Sequence, residues 1–571
     1  MKDDFQVEGL NGEALFTLKV HRGDGMALLA MNWKSGKPPR DFVGFAIEYK
    51  EPGGTRYFAL KNRISFPNAA GGVNPNRLST RFSPIQKFRW IHFPRNAELP
   101  GEFLYRVSPV FMERDGSLSY GEAQEVAIQL RRETYPGKLN VTFTRGFVSS
   151  QAFVDRYVDA TNGMATLIPS KAADGLDFVP SHPEAKEALA WMGFEARHAI
   201  LAVLDEAIAD STATVDVVAY DLSEREVYLR LRRLGKRLRI IIDNSDDHGE
   251  PTSGESIAAE RLAKAGAQVK RHHMSNLQHN KTIVVSGKAC KAVVCGSTNY
   301  TWRGLYVQNN NAWIARGAKP VKVFREAFER YLENDSVVGF GVTSSAEGWH
   351  DLGIAGIDAK VTFSPHGASN SVLDAIAQDV LGAESSLLYS LAFLAQTKGS
   401  IRDAVTKVTE SPVFTYGMAD RRIGGIKLET PGGNAYPVYP AALSGNLPEP
   451  FKSEPDGRSD GAGTRMHHKF IVIDFDKPSA RVYLGSYNFS VPADRKNGEN
   501  LVLVRDRRVA VSYMVEALRI FDHYHFRVAQ TRKGAKKTLQ LAKPPQKAGE
   551  KAWFDEYYTL SRKIRDREIF A

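Results

Sequence analysis

Two segments of the chain repeat one another, and this repeat constrains the fold more than any other feature. One segment begins with His-Asn-Lys at 279–281 and the other with His-His-Lys at 467–469. Each continues into an apolar run and then a Gly-Ser-x-Asn segment, whose Asn follows the first His by 20 residues in one copy and 21 in the other. Eleven residues beyond each Asn stand Asn310 and Glu499. Repeated spacing of this kind indicates a duplicated structural unit.

The spacing within each copy favours a phosphate site. Side chains alternate along a β-strand, so the His and the Lys of His-x-Lys are expected on one face and the residue between them on the other. A Lys ammonium neutralises phosphate oxygens, and a Ser hydroxyl and an Asn amide from the next strand add hydrogen bonds. The candidate site residues of the first copy are His279, Lys281, Ser297 and Asn299, and those of the second are His467, Lys469, Ser486, Asn488 and Glu499.

With this doubled motif the chain resembles the phospholipase D superfamily over roughly residues 150–530. The resemblance implies an α/β fold of two tandem halves packed as a pseudo-dimer, with the active site at their junction. It also implies cleavage of a phosphodiester without metal or other cofactor, in which one His becomes a phosphohistidine and the other protonates the leaving oxygen. Members of the superfamily include phospholipases, phosphatidyl-transferring synthases, bacterial endonucleases and a tyrosyl-DNA phosphodiesterase.

The first copy departs from the superfamily pattern at two positions. Ser286 stands where the motif's Asp is retained as Asp474 in the second copy, and Asn310 stands where the second copy has Glu499. We expect Asp474 in the site and Glu499 beside His467, because a carboxylate raises the pKa of a neighbouring imidazole and an amide does not. On that pairing His467 is the protonated acid and His279 the neutral nucleophile.

The remaining sequence suggests four segments. Residues 1–132 alternate short strand patterns with turns and suggest an all-β sandwich, in which the run 99–110 resembles the late strands of fibronectin type III modules. Residues 133–350 and 351–530 repeat helix and strand patterns in the same order, as expected of two α/β halves. Residues 531–571 form a basic C-terminal tail.

The sequence is compatible with more than one interpretation of three further features. The tail interleaves cations with Trp553, Phe554 and Tyr557, which suits either single-stranded nucleic acid or anchoring of the tail to the body. The Pro- and Gly-rich stretch 420–465 predicts a long inserted loop that is either a functional rim or lid, which could supply an acyl channel in a phospholipase, or a disordered segment. Asp221 either touches the cleft or caps a helix.

Location and partners follow from composition and charge. The N-terminus lacks a signal-peptide pattern and no apolar run reaches a membrane span, and Cys290 and Cys295 are spaced badly for a disulfide, so we expect a cytoplasmic protein. A formal net charge of +11 favours a polyanionic partner. We therefore expect a nuclease, with a phospholipase D acting on phosphatidyl groups and a catalytically weak polyanion-binding scaffold as alternatives, and a protein partner as a further role for the N-terminal module.

Overall fold

The computed structural model describes the chain except residues 1–3, 63, 68–73, 147–152, 154–155, 160, 395–396, 421–465, 533–539 and 548. Its described residues fall into two compact units. Residues 1–132 and 511–571 belong to the first, and residues 133–420 and 466–510 belong to the second. The expected loop at 420–465 lies, apart from Asp420, outside the described residues.

The described residues of the first unit form nine strands. They are β1 Gln6–Glu8, β2 Phe16–Arg22, β3 Ala27–Trp33, β4 Phe42–Lys50, β5 Phe58–Ala59, β6 Arg89–His92, β7 Phe103–Met112, β8 Leu118–Tyr120 and β9 Gln124–Ile128. One sheet has the order β1-β2-β3-β6 and the other β5-β4-β7-β8, with β9 also pairing with β7. Side chains from both sheets, such as Phe16 and Phe45, share one core, so the unit is the expected all-β sandwich.

The C-terminal tail supplies part of this core. Two short helices, Glu556–Thr559 and Ser561–Ile569, follow the aromatic segment of the tail. The indole Nε1 of Trp553 donates to the carbonyl of Phe42 at 3.1 Å, and Phe554 is 2% exposed. The tail aromatics therefore anchor the chain end to the sandwich and are not free for stacking on a ligand.

The second unit holds the two halves. The first half contains β10 Leu139–Phe143, β11 Thr214–Ala219, β12 Leu238–Ile242, β13 Gln268–Arg271, β14 Lys281–Ser286, β15 Lys291–Gly296 and β16 Asn311–Arg316, with helices Ala185–Ala209, Arg225–Leu234, Gly254–Lys264, Trp302–Tyr306, Ala318–Glu333 and Val337–Gly341. The second half contains β17 His350–Asp351, β18 Asp358–Ser364, β19 Ser386–Leu391, β20 Phe414–Met418, β21 Lys469–Ile473, β22 Arg481–Gly485 and β23 Glu499–Arg505, with helices Leu373–Leu381, Ser400–Thr409 and Val491–Arg495. A helix at Arg507–Arg532 follows β23.

The sheets of the two halves have matching strand orders. One runs β10-β16-β15-β14-β11-β12-β13 and the other β17-β18-β23-β22-β21-β19-β20. In each, the strand that begins at the motif Lys lies near the centre, as β14 or β21, and is paired on both sides. These strands are apolar and buried, as expected of sheet centres covered by other elements. The expected tandem α/β architecture is confirmed.

The tail packing predicts a stability effect. Phe554→Ala should lower the free energy of unfolding of the first unit by about 3–5 kcal/mol, because it deletes a buried aromatic side chain. Chemical denaturation followed by tryptophan fluorescence measures this. Phe82→Ala is the matched control, since Phe82 is 45% exposed and its loss should change stability by only about 0.5 kcal/mol. Equal effects of the two substitutions would contradict the anchoring role.

Candidate active site

The two motif histidines are brought together by backbone pairing between the halves. Gln278, which precedes His279, forms a parallel bridge with Gly498, which precedes Glu499. In the same way Asn309, which precedes Asn310, forms a bridge with Met466, which precedes His467. Each motif His therefore lies beside the third matched position of the opposite half.

This crosswise arrangement corrects the expected pairing of the side chains. The Nδ1 of His279 lies 2.8 Å from Oε2 of Glu499, and both side chains are buried. The Nδ1 of His467 lies 2.8 Å from Oδ1 of Asn310 and 3.1 Å from the carbonyl of Ser297. All these partners accept, so Nδ1–H donates in both rings and Nε2 is left for chemistry. The expectation that Glu499 serves His467 was wrong, because spacing along one copy does not reveal which half supplies the partner.

The motif serines orient those partners. The hydroxyl of Ser486 donates to Oε2 of Glu499 at 2.6 Å, and that of Ser297 donates to Oδ1 of Asn310 at 2.9 Å. The sequence predicts that the hydroxyls of Ser297 and Ser486 both bind a phosphate. Their position in the structure instead fixes the acceptor atom that meets each histidine.

Burial shifts the pKa of both histidines in the same direction. Burial lowers the pKa of His279, and the carboxylate of Glu499 opposes this. Burial lowers the pKa of His467 well below its usual range, and the charges of Lys469 and Lys281 lower it further. Of the two rings, His467 holds an added proton more weakly, which is the reverse of the order expected from sequence.

The motif lysines are held against backbone and aromatic groups. Lys281 Nζ donates to the carbonyl of His279 at 2.5 Å and lies 4.7 Å from the centre of the Tyr220 ring. Lys469 Nζ donates to the carbonyl of His467 at 3.0 Å and lies 3.1 Å from its Nε2. Burial lowers the pKa of Lys281 to about 8 and that of Lys469 well below its usual range. A bound anion would stabilise both as cations.

A cavity of about 340 Å³ lies at the two motif histidines. His279, His467, Asn299 and Asn488 line it, so the expected asparagines are at the site. The other lining residues are Tyr220, Asn276, Leu277, Phe393, Thr397, Lys398, Ser490, Val491, Pro492 and Asn497. Sequence analysis missed the rings of Tyr220 and Phe393, which lie one residue beyond the end of β11 and two residues beyond the end of β19.

Asp474 lies away from this cavity. Its Oδ1 accepts hydrogen bonds from the backbone N–H groups of Glu384, Ser385 and Ser386, which connect to the start of β19. In the first half a different acid, Asp210, accepts from the N–H groups of Ala289 and Cys290. The expectation that Asp474 belongs to the site was wrong, because it stands at the far end of β21, five residues after Lys469. Ser286 occupies the same position of β14, so the replacement of the motif's Asp by Ser there removes no group from the site.

A cluster of charged groups lies behind His279. Asp221, His248 and Glu255 each place one side-chain nitrogen or oxygen atom within 4.8 Å of those of the other two. His248 Nε2 is 2.7 Å from Asp221 Oδ1, and its Nδ1 is 3.0 Å from Asp243 Oδ1. Burial lowers the pKa of His248, but Asp221 and Asp243 outweigh it and raise that pKa to about 11. A proton on His248 therefore satisfies the cluster. The helix that begins at Arg225 is capped by Glu224, so the helix-cap interpretation of Asp221 was wrong.

Comparisons with known proteins agree with this architecture. A family model described as a cardiolipin synthase, PLD-like domain matches residues 204–332 and 445–521. A phospholipase D from Rickettsia prowazekii is 48% identical over 48 residues, which are 8% of this chain and 22% of that protein. A mitochondrial cardiolipin hydrolase from Chlamydomonas reinhardtii is 25% identical over 126 residues, 22% of this chain and 53% of that protein. The chain thus aligns with about half, or less, of the length of these relatives.

The comparison with solved structures gives Nuc, a phospholipase D family member from Salmonella typhimurium, at 21% identity. The alignment has a TM-score of 0.21 and covers 24% of this chain and 87% of that one.

The chain is similar to phospholipase D-like proteins, and the segments that match the family model carry both copies of the motif. Within the described part of the chain, every helix is too short or too polar to cross a bilayer.

The position of Asp474 predicts a structural role. Asp474→Ala should lower the free energy of unfolding by about 1–3 kcal/mol, because three backbone N–H groups lose their acceptor. Turnover below the unfolding transition should stay within about twofold of the unsubstituted protein. Ser286→Ala is the matched control at the same position of the first half, with an expected change of only about 0.5 kcal/mol. A stable Asp474→Ala protein that has lost turnover would return Asp474 to the site.

Proposed function

We propose that this protein is a metal-independent phosphodiesterase that acts through a phosphohistidine on His279, and that its substrate is nucleic acid. The observation that carries the proposal is the crosswise site, in which two imidazoles with oriented Nε2 atoms line one cavity and a buried lysine contacts each motif histidine. Such a set meets the needs of phosphoryl transfer, which are a nucleophile, an acid and cations for the phosphate oxygens.

The first step forms a covalent intermediate. The lone pair on Nε2 of His279 attacks phosphorus, and the bond from phosphorus to the leaving oxygen breaks. The imidazole becomes cationic as its Nε2 is phosphorylated, and the carboxylate of Glu499 at Nδ1 stabilises that charge. His467 has the neutral partner Asn310 and a weakly held proton, so its protonated form readily gives the Nε2 proton to the leaving oxygen.

The second step reverses these roles. Nε2 of His467, now neutral, takes a proton from a water molecule as that water attacks the phosphorus. The bond from phosphorus to His279 Nε2 breaks, and both rings return to their starting states. His279 remains the proposed nucleophile, but for a reason opposite to the one expected from sequence: its partner is the carboxylate.

Two observations favour nucleic acid. The net charge of +11 attracts a polyanion. The cavity is lined largely by polar side chains, with Tyr220 on the side of His279 and Phe393 on the side of His467, where rings can stack against bases or sugars. Among the described residues that line the cavity, apolar side chains do not form a continuous acyl channel. The stretch containing Tyr436, Val438, Tyr439, Ala442 and Leu443, which the sequence offered as such a channel, lies outside the described residues.

A phospholipase D that hydrolyses or transfers phosphatidyl groups is the second candidate. The curated relatives that match this chain are phospholipases D and cardiolipin hydrolases, which favours a lipid substrate. A polyanion-binding scaffold has less support, because both motif histidines and lysines keep their partners.

A substrate panel tests the proposed function. The protein in excess EDTA is incubated with single-stranded DNA, RNA, plasmid DNA and phosphatidylcholine vesicles, with His279→Asn as the matched inactive control. We expect cleavage of at least one nucleic acid by the unsubstituted protein, and a loss of several orders of magnitude in His279→Asn. Rapid quenching and alkaline peptide mapping should place the phosphoryl adduct on the peptide with His279. Choline release without nucleic acid cleavage would favour the phospholipase, and an adduct on His467 would reverse the roles.

The crosswise pairing predicts how Glu499→Gln changes the pH dependence. Glu499 raises the pKa of His279, so its loss should lower that pKa. Because His467 holds its proton more weakly than His279, the higher pKa of the kcat/KM profile belongs to His279, and the alkaline limb should move to lower pH. The plateau should fall by up to about 10⁴-fold, because an amide cannot stabilise the phosphorylated imidazole.

Asn310→Asp is the matched substitution in the other half. A carboxylate there should raise the pKa of His467, which is the lower of the two, and move the acidic limb to higher pH. If Glu499→Gln left the alkaline limb in place, Glu499 would not set the pKa of His279 and the crosswise pairing would be wrong.

A further inference from the structure

The two halves differ at one position beside the motif lysines. Ala219 pairs with Lys281 in the first half, and Leu391 pairs with Lys469 in the second. Two residues further along, these registers place Asp221 in the first half and Phe393 in the second. The duplicated fold therefore carries a carboxylate at a position where its own second copy carries an apolar ring.

Asp221 contacts the cavity through Asn299. The Nδ2 of Asn299 donates to Oδ2 of Asp221 at 2.5 Å, and Asn299 is 4% exposed. Because a carboxylate only accepts, this bond decides which end of the amide faces Asp221 and which faces away. In the second half, Phe393 cannot accept a hydrogen bond, so Asn488 lacks this constraint from the matching position.

Asp221 is itself held by a chain of charged groups. Its other oxygen, Oδ1, accepts from Nε2 of His248 at 2.7 Å, and the opposite ring nitrogen of His248 donates to Asp243 at 3.0 Å. Asp243 also accepts, through Oδ2, the backbone N–H of Gln278 at 2.6 Å. The chain begins at Asn299 and ends at the residue next to His279. The chain of hydrogen bonds thus connects a cavity-lining asparagine to the residue that precedes the nucleophile.

The ring of Tyr220 packs against both His248 and His279. Its centre lies 4.7 Å from the ring centre of His248 and 4.7 Å from that of His279. A shift of His248 would therefore be transmitted to His279 through a packed ring. The anchor at Asp243 has a counterpart in the second half, where Asp420 accepts the N–H of Met466 at 3.1 Å. The carboxylate at 221 has none.

We propose that Asp221 and His248 form an ion pair that positions Asn299 and His279, making the first half the rigid, nucleophile-bearing half of the site. Neither residue touches the substrate; both are positioning residues. Other charged groups face this pair: Asp243 and Glu255 contact or approach His248, and Lys281 and His279 lie on the side of Asp221. The inference rests on the proposed phosphodiesterase function.

The experiment is a double-mutant cycle of His248→Gln and Asp221→Asn in the full-length protein. His248→Gln leaves the buried carboxylate of Asp243 and the half-buried carboxylate of Asp221 without their shared cation. It should lower kcat by roughly 10- to 100-fold, the scale expected when reacting groups are misplaced. KM should change by no more than about twofold. The double variant carries neither Asp221 nor His248 charge, so it should recover at least about tenfold in kcat over His248→Gln alone.

His273→Gln is the matched control. His273 is an exposed histidine of the same region whose Nδ1 contacts Asn244, outside the chain of charged groups. Its substitution should leave kcat within about twofold. Wild-type kcat in His248→Gln, or effects of the two substitutions that simply add in the cycle, would overturn the proposal.

Imidazole NMR supplies a measurement independent of activity. The His248 ring should remain protonated up to about pH 10 in the unsubstituted protein and should titrate at clearly lower pH in Asp221→Asn, since Asp221 is its principal charge partner. An unchanged His248 titration in Asp221→Asn would overturn the ion pair. If the unsubstituted protein cleaves nothing while the NMR result holds, it is the proposed function that fails. If His248→Gln does not fold, Asp221→Asn, which keeps the shape of the side chain, carries the kinetic test with the same expected loss in kcat.

Discussion

The hydrogen bond from His279 to Glu499 joins a ring of one half to a carboxylate of the other, and the site depends on it. Its counterpart, from His467 to Asn310, crosses the junction in the opposite direction. Neither half supplies the Nδ1 partner of its own motif histidine. The backbone bridges at Gln278 and Asn309 hold both crossings in register. Packing of the halves is therefore a chemical requirement of the site as well as a structural one.

Burial makes this site depend on an anion. Two imidazoles line the cavity and two buried lysines contact the motif histidines, and burial lowers the pKa of all four groups. Glu499 offsets part of this repulsion at His279. A phosphodiester would stabilise the cationic forms of both lysines, so binding of the substrate and charging of the site are coupled. Groups with pKa values lowered in this way hold positive charge poorly by themselves, so the site favours anionic ligands over neutral ones.

Duplication followed by divergence explains the differences between the halves. Divergence at Asn310 and Glu499 gives the two imidazoles unlike partners, and divergence at Asp221 and Phe393 gives the two asparagines unlike surroundings. Divergence at Ser286 and Asp474 concerns only how the far end of each sheet is held. Positions of one motif can thus serve either the chemistry or the fold, and their spacing alone does not distinguish the two.

The sequence determined the duplication, the order of strands and helices in each half and the polar residues around the cavity. These are local properties: apolar runs of strand length, alternation of side chains and repeated spacing are visible along one chain. Tertiary structure decided which half completes each histidine, because that depends on the junction between two sheets and not on spacing within either. It also decided that Asp474 is a structural residue, that the tail aromatics belong to the core of the sandwich and that His248 lies behind Asn299. Those contacts join residues from 27 to 511 positions apart, and only the packed chain brings them within hydrogen-bond distance.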